Sequence, residues 1–202
     1  MNGRLSFFAR ALRPICSVGL PALAAWWLAG ALFFKVHPEL VKHPPPRAAL
    51  GPLQMTIRLP GTCAGIPEPL LTCGEPGKAM FIYIRIVGKT RALIGVYIWG
   101  KTATEGPEFS VPSPQAQLKV VSFLPVFFPD EKDSRWGARD LATRRQLRES
   151  VKVEVDGVER LSAPMNYPMD ERPPTYIGAN PIGGSVVSDF FTGTVVQSSQ
   201  SF

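Results

Sequence analysis

The sequence predicts an all-β domain, an antiparallel β-sandwich (jelly roll), preceded by a single N-terminal transmembrane helix. Three observations carry that prediction. Residues 14–34 form a run of 21 without a charge. Beyond residue 52 short apolar runs rich in Val, Ile, Tyr and Phe recur between Gly- and Pro-containing turns. Asp156-Gly157, set between alternating apolar positions, is the strongest hairpin signal in the chain.

The uncharged run contains Ile15, Leu20, Leu23, Trp26, Trp27, Leu28 and Phe33. As a helix it reaches roughly 30 Å, the thickness of a bilayer's hydrocarbon core. A cleaved signal peptide competes with a retained anchor, since Arg4, Arg10 and Arg13 precede the run and Ala29-Gly30-Ala31 resembles a cleavage site. The apolar stretch continues through Leu32, Phe33 and Phe34. That length favours the anchor, so residues 1–36 are expected to hold the chain to membrane lipid through 14–34. Arg4, Arg10 and Arg13 before the span balance Lys35, Lys42 and Arg47 after it. The short flank that concentrates its arginines beside the span, and paired cysteines suited to an oxidising compartment, favour a cytoplasmic N-terminus with the rest outside. Residues 37–52, with Pro44, Pro45 and Pro46, read as a semi-rigid stalk, and residues 53–202 as the sandwich.

The charge has a location. The 202 residues carry 22 Lys and Arg against 16 Asp and Glu, a net of +6. Arg4, Arg10, Arg13, Lys35, Lys42 and Arg47 against Glu39 put +5 of that in residues 1–47 and leave +1 for the rest. Basicity confined to the anchor and its flanks suits anionic headgroups and removes the main ground for a nucleic-acid partner. Cys16 lies in the span. Cys63 and Cys73 flank a turn-rich segment and are disulfide candidates outside the cytoplasm, although two unlinked thiols remain an alternative.

Within the domain, residues 55–59 alternate as a strand. Residues 80–87 and 92–99 form a hairpin around Gly88, apolar on both faces as strands are when layers cover each side. Residues 118–123 follow. Asp140 caps a short helix whose Arg144, Arg145 and Arg148 read as a solvated face. Val151, Val153 and Val155 alternate with Lys152 and Glu154 ahead of the Asp156-Gly157 turn, and residues 175–178 and 190–196 complete the strands. Gly193, between Phe191 and Val195, is expected where strand and sheet approach closely.

The stretch Val151-Lys152-Val153-Glu154-Val155-Asp156-Gly157-Val158 resembles the hairpin of laminin-G-like and concanavalin A-like lectin domains. Tyr176-Ile177-Gly178-Ala179-Asn180-Pro181-Ile182-Gly183-Gly184 and then Phe190-Phe191-Thr192-Gly193-Thr194-Val195 are similar to the last two strands of such sandwiches. The resemblance implies a jelly roll and a binding role. Calcium at the sheet rim, which many such domains hold, would fall to Asp189 and Asn180, but neither belongs to an acidic cluster, so no metal or other cofactor is expected.

Glu154-Val155-Asp156-Gly157-Val158-Glu159 matches the ExDxxE signature of laminarinase-like glycoside hydrolases. There both glutamates project from one strand about 5–5.5 Å apart. Here the Asp-Gly turn sends Glu159 to the return strand, so the match is read as a hairpin coincidence and no catalytic residue is assigned. Neither His37 nor His43 falls in the domain, which excludes a histidine triad built within it. Tyr97, Trp99 and Trp136 are the aromatics suited to stack on a sugar. The expected function is a membrane-anchored, extracytoplasmic binding module for envelope glycan or a protein partner. A non-binding structural domain of a membrane assembly is the alternative, and glycoside hydrolysis a distant one.

Overall fold

A computed structural model describes residues 50–61, 65–165 and 173–201. The expected span 14–34, nearly all of the stalk and Cys63 lie outside them. No helix of the described residues is long and apolar enough to cross a membrane.

Eleven strands form two antiparallel sheets. The first sheet has five strands: β1 (Leu53–Arg58), β7 (Gln117–Phe123), β8 (Ser150–Val155), β9 (Val158–Pro164) and β11 (Thr194–Gln200). Their order is β11-β1-β7-β8-β9. The second has β2 (Pro67–Glu75), β3 (Lys78–Ile86), β4 (Arg91–Ile98), β5 (Thr104–Glu105) and β10 (Thr175–Ile177), ordered β10-β2-β3-β4-β5. A short β6 (Phe109–Ser110) also pairs with β4. One helix, α1 (Leu141–Glu149), interrupts the strands.

Alternation decides which side chains enter the core. Leu53, Met55 and Ile57 of β1, Leu118 and Val120 of β7, and Val151, Val153 and Val155 of β8 point the same way. They share a cluster with Met80, Ile82 and Ile84 of β3 and Ile94 and Val96 of β4, so the two sheets pack face to face. On the far side of β3 and β4 a second cluster holds Ala79, Phe81, Tyr83 and Leu93 under Val187. Both faces of this hairpin are therefore covered, as its sequence predicts.

The second cover is residues 178–192, which run across the outer face as a strap. The Gly178 N–H donates to Leu70 O (3.0 Å), Thr72 Oγ1 to Ala179 O (2.8 Å) and the Ser188 N–H to Pro67 O (2.9 Å). Glu68, only 2% exposed, accepts from the Thr192 N–H (2.8 Å) and Thr192 Oγ1 (2.9 Å). These donors give the buried Glu68 side chain the hydrogen bonds that it would otherwise lose on leaving water.

The Asp156-Gly157 turn forms as expected, with φ of 51° and 77°, the two left-handed residues of a type I′ hairpin. Asp156 also accepts from the Lys119 N–H (2.9 Å) and donates its own N–H to Lys119 O (2.8 Å), joining the turn to β7. Asp140 caps α1 by accepting from the Thr143 N–H (2.9 Å).

Three expectations need correction. The arginines of α1 are not simply solvated. Arg144 donates to the carbonyls of Arg139 (2.8 Å), Glu131 (3.0 Å) and Gly137 (3.2 Å), and Arg148 to that of Phe128 (2.9 Å). They hold the irregular segment 128–139, whose carbonyls have no ladder to join. Second, the strands expected from the sequence do not include β2, which runs from Pro67 to Glu75 and carries Cys73. Third, the last strand starts at Thr194 rather than residue 190; Phe190 lies outside it, in an isolated bridge to Ala179. Gly193 precedes that strand, yet the close approach is present: a Cβ there would strike Arg58 O and the Phe191 ring.

Candidate functional site

In the β3–β4 register Phe81 pairs with Tyr97 and Met80 with Ile98, which puts Phe81, Tyr97 and Trp99 on the outer face of the second sheet. Trp99 lies just past β4, where its N–H continues the ladder to Ala79 O (2.8 Å). Phe81 is fully buried and forms the floor. Tyr97 stacks on it with ring centroids 5.6 Å apart, and Trp99 tilts against it at 6.3 Å. Tyr97 and Trp99 are half-buried. The Tyr97 hydroxyl accepts from the Gly100 N–H (3.3 Å), which fixes the ring at the turn after β4.

The neighbouring wall is the tip of the strap. A Cβ on Gly184 would lie 3.2 Å from Trp99 Cη2, so the bare backbone is what lets the loop meet the indole edge. Asn180, 1% exposed, organises this loop from within. Its Nδ2 donates to Ser185 Oγ (3.1 Å) and Val187 O (3.2 Å), and its Oδ1 accepts from the Gly183 N–H (3.2 Å). The amide that the resemblance would offer to calcium is thus spent inside the loop. Among the described residues no three His, Cys, Asp or Glu side chains gather as a metal-ligand set.

Beside the aromatic face, Tyr83 covers Gly95 across the strand pair, where any Cβ would enter its ring. Its hydroxyl donates to Glu105 Oε1 (3.0 Å), which also accepts from Arg85 Nε (3.1 Å). Burial, with help from the Glu105 carboxylate, pushes the Tyr83 hydroxyl well above the usual tyrosine range. The hydrogen bond from Arg85 in turn holds Glu105 below the usual carboxylate range. These groups satisfy one another and frame the rim.

The other predicted residues lie elsewhere. Trp136 is 1% exposed, ends a 3₁₀ turn, stacks on Phe128 at 5.8 Å and donates its indole N–H to Asp130 O (2.7 Å). It is a core residue that no sugar reaches. Cys73 is a free, buried thiol on β2, 3.8 Å from Thr175 Oγ1; burial pushes it up to about 12. Its expected partner Cys63 is outside the described residues.

Glu154 and Glu159 are register partners across the β8–β9 hairpin on the solvent side of the first sheet. Lys152 Nζ lies 2.8 Å from Glu154 and 3.6 Å from Glu159, and 5.2 Å over the Phe123 ring. The hydrogen bond to Glu154 raises the Lys152 ammonium above its ordinary value. That ammonium sits between the carboxylates, where the bond to be cleaved in a glycan would have to lie.

A cleft lined by Leu59, Ile86, Lys89, Val111 and Pro114 encloses about 50 Å³, room for a few water molecules, while a wider, open depression of about 460 Å³ lies beside α1, lined by Arg145, Gln146, Glu149 and Ser162. No family model matches the chain, and no curated protein matches it. What is established is an all-β, antiparallel two-sheet protein with an aromatic outer face on its second sheet.

Proposed function

We propose that this chain is a membrane-anchored, extracytoplasmic binding module whose sandwich is of the concanavalin-like, laminin-G-like jelly-roll type. Its ligand is an envelope glycan, or a protein that presents a comparable flat apolar surface. The observation that carries the reading is the partly exposed Tyr97–Trp99 pair. It is seated on buried Phe81 and held between two fixed turns. Rigid aromatics with one face buried and the other wet lose little entropy when a sugar's C–H face stacks on them.

A second reading, a structural domain with no ligand, is favoured by the strap: residues 178–192 already cover much of the same sheet face. Sedimentation of the protein with purified envelope polysaccharide separates the two. Retention on the polysaccharide, competed by soluble fragments, is the expected result. Absence of retention on glycan, with association only to other subunits of a membrane assembly, assigns the structural role.

A further inference from the structure

The edges of the two sheets are not protected alike. In the second sheet the outermost strands are short, two residues in β5 and three in β10. In the first sheet β9 carries Glu159 and Arg160 and ends at Pro164, and its Arg160 carbonyl lies against Gly106, just beyond β5. Shortness, charge, proline and cover are the devices by which natural sheets avoid pairing at their edges.

Strand β11 has almost none of them. Its residues, Thr-Val-Val-Gln-Ser-Ser-Gln, carry no charge and no proline. It pairs with β1 on one side, and among the described residues nothing pairs with its other side. The remaining device is a bulge at Val196, where the register against β1 passes from Gln197 directly to Val195. That bulge lies near the start of the strand and leaves residues 197–200 in regular register with residues 53–56. Val196 itself is 49% exposed.

We propose that β11 is a self-association edge, along which a second copy of this chain adds its own β11 antiparallel. The two five-stranded sheets then become one continuous sheet of ten. A two-fold axis beside Ser198 sets Ser198 opposite itself, Gln197 opposite Ser199, and Val196 opposite Gln200. Hydroxyls and amides both donate and accept, so each is a partner for a copy of itself, and no like charges meet. Composition favours this occupant over a partner of different sequence. An uncharged edge brings no like-charge repulsion when a copy of itself is laid along it in two-fold pairing.

The test is the mass of the full-length chain in detergent micelles, by light scattering corrected for bound detergent, for the wild type and for Ser198→Lys and Ser199→Glu. Both positions are exposed, so melting temperatures should stay close to that of the wild type, and two variants guard against one that misfolds. The expected result is a wild-type dimer and a dissociation constant raised at least about tenfold in each variant. A monomeric wild type overturns the proposal. So does a dimer that both substitutions leave intact, since the copies would then meet through another surface.

Discussion

At the scale of single residues, two positions show how backbone and burial set energies that the sequence only outlines. Gly157 has φ of 77° with no atom near the site of a Cβ, so a substitution there meets no steric obstacle and is penalised by backbone conformation alone. Gly157→Val should lower stability by about 1–3 kcal/mol, while the neighbouring Glu154→Gln should change it by no more than about 0.5 kcal/mol. Thermal melts compare the two, and equal melting temperatures would contradict the turn. Cys73 is the opposite case, a group whose environment the sequence did not disclose. Its thiol is raised from 9.0 to about 12 by burial, so the neutral form is favoured in the folded protein. Its contribution to stability is then complete below pH 9 and is lost as the pH rises toward 12, because the unfolded chain releases the proton first. The gap in urea midpoint between wild type and Cys73→Ala should narrow from pH 8 to pH 10.5. A constant gap would show that the thiol is not shielded.

At the scale of elements, the parts legible in the sequence were those whose signal is local. The β3–β4 hairpin, the alternation in β8, the Asp156-Gly157 turn and the Asp140 cap each state their geometry within a few residues. The parts that were not legible depend on distant partners. Strand β2 opens with Pro67 and Pro69 and contains Glu68, a poor strand pattern. It forms because Glu68 receives Thr192 and because β3 and β10 flank it. The roles of Arg144 and Arg148 also depend on carbonyls that only the folded loop presents. For the strap, Glu68→Ala should cost about 1–3 kcal/mol by leaving the Thr192 N–H without its acceptor. Hydrogen exchange should show the loss of protection concentrated in residues 178–192; uniform destabilisation would mean the strap is not a separable element.

For the whole molecule, the aromatic candidates divided according to a property that no local pattern reveals. Tyr97 and Trp99 are half-buried against the outer-face cluster of the second sheet, Trp99 just past β4 beside Gly100. Trp136 entered the core because α1 and the turns before it fold its loop back over Phe128. The proposed attachment to lipid rests on residues 1–36, so deleting them should release the protein into the soluble fraction; a truncated chain that stays with membranes after a high-salt wash would refute the anchor. The binding claim itself is tested most directly by calorimetric titration of envelope polysaccharide into wild-type protein and Trp99→Ala, with circular dichroism to confirm that the variant is folded. The account predicts saturable binding by the wild type that weakens at least about tenfold in Trp99→Ala. Equal affinity for the two proteins, or no binding by the wild type, would contradict it.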